Sequence, residues 1–167
     1  RAEHVMIVDL ERNDLGKVCQ PGSVSPQDLM RIEECGSVYH MVTTVKGKLK
    51  NDIGLAEILR STFPGGSITG APKKSAMRII RSVEPCVRGV YTGALGWIGF
   101  SGNFILNLPI RTLLIKDGFA HFYAGGGVVA DSTPFGEYEE IVHKGEAFLK
   151  ILNLHEPSFQ SITHISV

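Results

Sequence analysis

The chain has 167 residues, of which 43% are hydrophobic and 20% charged, with a formal net charge of zero. That is the balance of an ordinary globular domain: it offers no basic block for nucleic acid, and no apolar run approaches the roughly 18–20 residues of a membrane span. Cys19, Cys35 and Cys86 lack metal-ligand spacing, and their odd number argues against a disulfide framework, so they are read as reduced core residues of a cytoplasmic protein. The chain opens on Arg1 rather than Met, inside a helical pattern and without a signal peptide, so the expectation is a portion of a longer protein.

Residues 1 to about 18 carry Val5, Met6, Val8, Leu10 and Leu15 among charges, and fit a helix better than a strand. Pro21-Gly22 ends it. Ser25-Pro26-Gln27-Asp28 reads as a turn or helix cap, with Pro26 near a first helical position. Ser37–Leu49 is rich in Val, Tyr and Thr with alternating apolar residues, and predicts a strand. Asp52 is the expected cap of a helix over residues 53–61, broken by Pro64-Gly65-Gly66. Pro72 suits the first turn of the next helix, which ends before Pro85.

Three strands are then predicted over Gly89–Phe100, Phe104–Ile115 and Phe119–Val129, joined by hairpin turns at Ser101-Gly102-Asn103 and Asp117-Gly118. A last helix runs from near Pro134 to about Leu152. The class is α+β, with a large antiparallel sheet. Residues 153–167 have weak periodicity and are expected to form a mobile tail.

Two glycine motifs invite a nucleotide reading and fail it. Gly65–Gly70 has P-loop spacing, but Ala71-Pro72 stands where the lysine is needed. Gly125-Gly126-Gly127 fits a dinucleotide fingerprint in letters only, because a hairpin precedes it rather than a βαβ unit. Three consecutive glycines either let a ligand approach the backbone or form a bulge or tight bend.

Glu137 and Glu140 lie three apart at the start of the last helix and so share a face. Two such carboxylates suit a Mg²⁺ ion, or they simply complement the helix dipole. Lys144, four residues on, can pair with Glu140. His40 lies in an apolar strand, where a structural role is the commoner one. Arg111 is flanked by apolar residues; buried, it would need a carboxylate partner, which its planar fork suits.

The segments AEHVMIVDLERNDLG (2–16), VYHMVTTVKGKL (38–49), FPGGSITGAPKKSAMRII (63–80), RGVYTGALGWIGF (88–100), LPIRTLLI (108–115), YAGGGVVADSTP (123–134) and EYEEIVHKGEAFL (137–149) together resemble the chorismate-binding enzyme family. Its members include anthranilate synthase component I, aminodeoxychorismate synthase component I, isochorismate synthases and salicylate synthases. The resemblance implies an anthranilate-synthase-like fold with antiparallel sheets and flanking helices, of which residues 1–152 form the C-terminal part. It also implies a Mg²⁺ site in which Glu3, Glu137 and Glu140 are metal ligands. The partner of Glu3 would lie three positions earlier, before Arg1. The metal joins these glutamates to the ring carboxylate of chorismate.

By the same resemblance, Tyr91 and Arg111 hold the enolpyruvyl carboxylate. Gly125, Gly126 and Gly127 supply backbone in that pocket, and Lys144 lies beside the ring carboxylate. His40 faces the reacting edge of the ring, and Glu137 shares the catalytic role. Ser67 stands where other members carry threonine, and Thr69 and Gly70 complete that substrate-binding loop. GGSITGAPK is most similar to aminodeoxychorismate synthases, which aminate chorismate with ammonia from a glutamine amidotransferase partner. The lysine of their Pro-Ile-Lys-Gly-Thr motif lies upstream of Arg1. A chain lacking that half is expected to expose sheet edges and apolar surface, to self-associate, and to turn over negligibly.

Overall fold

A computed structural model describes residues 1–35 and 38–152; the expected tail, 153–167, lies outside the described residues. The chain forms two compact units, Arg1–Ile80 and a second that begins at Arg81.

The first unit is built on α1 (Ala2–Val18), the helix expected from the sequence. Its buried residues are Val8, Asp14 and Val18. Beside it lies an antiparallel pair, β1 (Ser25–Cys35) and β2 (Val38–Lys46). The strand predicted at Ser37–Leu49 is therefore present from Val38 to Lys46, Ser37 lying outside the described residues, and Leu49 adds an isolated bridge to Cys19. The turn or cap predicted at Ser25–Asp28 is wrong: this segment is the start of β1. Pairing with β2 overrides the local turn signal, and an irregularity between Gln27 and Arg31 absorbs Asp28 and Met30, whose φ values are 49° and 60°. His4 Nε2 and Thr43 Oγ1 meet at 2.7 Å, and Thr43 Oγ1 also accepts from Met30 N–H, which ties α1 to both strands.

α2 (Leu55–Thr62) starts later than predicted. Asp52 sits in a turn at φ 63°, and the cap is Gly54, whose N–H donates to Glu57 Oε2 at 2.8 Å. A 3-10 turn, Gly66–Ile68, leads to α3 (Lys73–Val83), which starts just after Pro72 and ends before Pro85 as expected.

In the second unit the three predicted strands become four short ones, β3 (Leu95–Ile98), β4 (Phe104–Asn107), β5 (Leu113–Lys116) and β6 (Phe119–Phe122). They pair as two separate hairpins, β3–β4 and β5–β6, so the described residues hold three two-stranded sheets and not the one large sheet expected. The predicted strand 104–115 breaks because Pro109 has no N–H for a ladder and the chain turns there, with Ile110 N–H donating to Leu108 C=O and Arg111 at φ 50°. The Asp117-Gly118 turn forms as predicted, with both residues at positive φ. α4 (Pro134–Ile151) follows the expected bounds closely; Thr133 caps it by accepting from Gly136 N–H, and Pro134 sits at its start. α4 packs on β6 through Phe122 and Phe148, whose ring centroids are 4.4 Å apart. Ile141 is buried on the same helix.

Every strand in these two-stranded sheets is an edge, and much apolar surface is open. Leu95, Trp97, Ile98, Ile105, Ile115 and Phe119 are exposed, and Phe100 is fully so. The sequence reading expected such a surface. No helix among the described residues is long and apolar enough to cross a membrane.

Candidate functional site

The second unit gathers most of the residues singled out in the sequence. Residues 123–129 leave β6 without regular structure, so Gly125–Gly127 form neither the end of a strand nor part of a helix. Side chains occupy the space that a Cβ would need at two of these glycines. At Gly125 a Cβ would lie 2.8 Å from the Tyr91 hydroxyl. At Gly126 it would lie 2.7 Å from Glu137 Oε2 and 3.9 Å from Glu140 Oε1. The polar ends of Tyr91 and Glu137 thus come close to the backbone of Gly125 and Gly126, where the absence of a Cβ leaves them room.

Three residues of α4 and one from the turn before it supply the rest. Glu137 lies in the first turn of α4, and Ser132 Oγ donates to its Oε1 while accepting from Val129 N–H at 3.0 Å. Lys144 forms an ion pair with Glu140 and donates to Gly125 C=O at 2.9 Å. Glu137, Glu140, Lys144 and Tyr91 therefore converge on Gly125–Gly126. Ser132 was not anticipated as a site residue. Its sequence signal was present in Ser132-Thr133-Pro134, the pattern of a capped helix start.

Tyr91 projects from a turn in which its N–H donates to Arg88 C=O and Thr92 N–H donates to Pro109 C=O. Its ring stacks on Tyr123, with centroids 5.5 Å apart. Burial pushes the Tyr91 phenol above its usual pKa, so it stays a neutral hydrogen-bond donor. Arg88 is held protonated by its bidentate pairing with Glu84.

Arg111 departs from expectation. It is exposed, not buried, at the bend after Pro109. Apolar sequence neighbours imply burial only while the chain stays in a sheet, and here it has left one. None of the hydrogen bonds or ion pairs that join Glu137, Glu140, Lys144 and Ser132 involves Arg111.

The first unit holds Glu3, His40, Ser67, Thr69 and Gly70. Glu3 lies in the first turn of α1 and His40 in β2, both half-buried. In the loop after α2, Ser67 Oγ donates to Glu11 Oε1 at 2.8 Å and Thr69 Oγ1 donates to Gly65 C=O at 2.8 Å. Gly70 adopts φ 133°, open only to glycine without strain. Beneath them Asp14, 2% exposed, accepts from Lys17, Lys73 and Gly66 N–H. Burial raises its pKa, but the two lysines and the amide outweigh burial and hold the carboxyl below 3.8. The folded state therefore binds fewer protons than the unfolded chain near that value. The stabilisation is complete above pH 3.8 and is lost as pH falls through the lower folded value. Urea denaturation of the full protein against pH is expected to show the stability gap between wild type and Asp14→Asn closing below pH 3.8 and steady above it.

Two carboxylates aimed at one space over glycine backbone form a hard-oxygen donor set, and Glu137 with Glu140 fits Mg²⁺ on that ground. Among the described residues no group of three or more His, Cys, Asp or Glu comes together as a metal-holding set, so this pair is the donor set offered.

The chain is 49% identical over 149 residues to anthranilate synthase component 1 of Streptomyces coelicolor, an alignment covering 89% of this chain and 29% of that protein. It is 47% identical over 156 residues to aminodeoxychorismate synthase component 1 of Bacillus subtilis, covering 93% and 33% respectively. The crystal structure of anthranilate synthase component I from Streptococcus pneumoniae matches with a TM-score of 0.77 and 40% identity, over 87% of this chain and 34% of that one. The chain thus spans about a third of the length of these relatives. Residues 1–150 match the family described as chorismate binding enzyme, and the chain belongs to that family.

Proposed function

We propose that this chain supplies a metal- and carboxylate-binding part of a Mg²⁺-dependent enzyme that aminates chorismate to 4-amino-4-deoxychorismate. The observation that carries the reading is the convergence of Glu137, Glu140, Lys144 and Tyr91 on the backbone of Gly125–Gly126. Chorismate carries two carboxylates. A cation held by Glu137 and Glu140 would neutralise the ring carboxylate and favour departure of the ring hydroxyl. Lys144 adds a fixed positive charge beside it, and neutral Tyr91 donates to the enolpyruvyl carboxylate. Arg111 is exposed and makes no ion pair among the described residues, and it would meet that second carboxylate. His40 faces the reacting edge of the ring, and Ser67, Thr69 and Gly70 bind substrate from their loop. Ammonia would come from a glutamine amidotransferase partner.

A second reading, anthranilate synthesis, is favoured by the near-equal identity to the Streptomyces coelicolor anthranilate synthase and the Bacillus subtilis aminodeoxychorismate synthase. The GGSITGAPK loop supports the first. Product analysis of the full protein with chorismate, ammonia and Mg²⁺ decides between them: 4-amino-4-deoxychorismate keeps the pyruvyl group, and anthranilate forms with release of pyruvate. The purified 167-residue chain by itself is expected to show negligible turnover in the same assay. Measurable product from it would contradict the view that other parts of the active site are needed.

A further inference from the structure

We propose that Asp14 is a positioning residue for the Gly65–Gly70 loop, holding Ser67, Thr69 and Gly70 in their ligand-binding arrangement from beneath. The proposal rests on the reading that this loop contacts chorismate. Asp14 acts through the loop backbone, at Gly66 N–H.

The geometry is specific. Asp14 Oδ2 accepts from Gly66 N–H and from Lys73 Nζ, each at 2.8 Å, and Oδ1 accepts from Lys17 Nζ at 2.7 Å. One carboxylate therefore joins α1, the first residue of the 3-10 turn and the first residue of α3. The two anchor points on the far side bracket the loop: Gly66 precedes Ser67, and Lys73 follows Gly70-Ala71-Pro72. The approach is close enough that a Cβ on Gly66 would lie 3.1 Å from Asp14 Oδ2 and 3.3 Å from Leu10 Cβ. One helical step earlier, Glu11 Oε1 accepts from Ser67 Oγ. Within the loop, Gly70 N–H donates to Gly66 C=O at 2.9 Å, so displacement at Gly66 is passed to Gly70.

A core that only needed filling would be served by an apolar side chain. A carboxylate with 3% side-chain exposure that uses both oxygens on three partners is instead suited to fixing a backbone. Lys73 Nζ also reaches Ser61 C=O at 3.4 Å and Thr62 C=O at 3.5 Å, so without the carboxylate it would turn to those carbonyls while Gly66 N–H would lose its partner.

The test is made in the full protein. Asp14→Asn keeps shape and one acceptor but removes the charge. Hydrogen exchange of the amides of Gly66–Gly70 is expected to speed at least tenfold, with the amides of β2 unchanged. KM for chorismate is expected to rise about tenfold, with kcat falling by much less, as expected for lost binding common to ground and transition states. If Asp14→Asn folds poorly because Lys73 is left without its counter-charge, the double variant Asp14→Asn/Lys73→Met removes that charge, and the same two shifts are expected of it. Unchanged loop exchange in whichever variant folds overturns the positioning role. Faster exchange with unchanged KM also overturns the proposal, and it does so by rejecting the loop as a chorismate contact, which separates that failure from a failure of Asp14 to hold the loop.

Discussion

Gly126→Ala is expected to weaken Mg²⁺ binding by the full protein at least tenfold, about 1.4 kcal/mol, while leaving the fold intact. The added methyl would lie 2.7 Å from Glu137 Oε2, closer than any real contact of that kind. The backbone need not move to relieve it, because the colliding atom is the end of a flexible side chain. Glu137 would swing away, lose its hydrogen bond from Ser132 and part from Glu140. The carboxylates would no longer face one space, and a pair that cannot converge cannot share a cation. Stability should change by no more than about 1 kcal/mol, the usual range for a glycine-to-alanine change outside a positive-φ position. Calorimetric Mg²⁺ titration and urea denaturation of the same variant separate the two effects. Lost metal binding with a normal unfolding curve is the expected result. Normal Mg²⁺ affinity would mean that Glu137 does not hold the ion.

Gly96→Ala should do the opposite, damaging the fold first. Gly96 lies in β3 opposite Leu106, and a Cβ there would come within 1.9 Å of Ile105 C=O oxygen and 2.8 Å of its carbon. These are backbone atoms of the partner strand, with no rotamer to turn. The hairpin must open or shift register, and a shift by one residue exchanges the two faces of the strand. Overpacking alone costs about 1–3 kcal/mol, and lost ladder hydrogen bonds add to it. A fall of about 3 kcal/mol in the urea unfolding free energy of the full protein is therefore expected. A change under about 0.5 kcal/mol, the range of neutral surface substitutions, would show that β3 and β4 are not paired as described.

The helices were readable because their signals are local. α1 and α4 carry periodic apolar positions, and α4 adds Thr133-Pro134 at its start. The strands were less readable because pairing is not local. Ser25–Asp28 has turn residues, yet β2 recruits it into β1 and the bulge accommodates Asp28 and Met30. Between Phe104 and Ile115 the apolar run hid a break that Pro109 announces.

The site divides in the same way. Glu137, Glu140 and Lys144 were legible from helical spacing, and the structure joins Glu140 to Lys144 as that spacing implies. What spacing could not show was that Tyr91 and Glu137 come close to the backbone of Gly125 and Gly126, since these contacts are not local in sequence. Arg111 shows the converse error, in which apolar neighbours in sequence suggested a burial that the bend at Pro109 removes. Asp14 escaped notice because its three partners are up to 59 residues away or sit behind a backbone N–H.

The central claim is that Glu137 and Glu140 hold Mg²⁺ for an anionic ligand. Its most direct test is Mg²⁺-dependent chorismate binding by the full protein, wild type against Glu140→Gln, measured by calorimetry with and without the metal. Gln keeps the size and one acceptor oxygen but removes the charge the cation needs. Wild-type binding is expected to depend on Mg²⁺, and the variant to lose at least tenfold in affinity only when Mg²⁺ is present. Equal Mg²⁺-dependent affinity in the two proteins would contradict it.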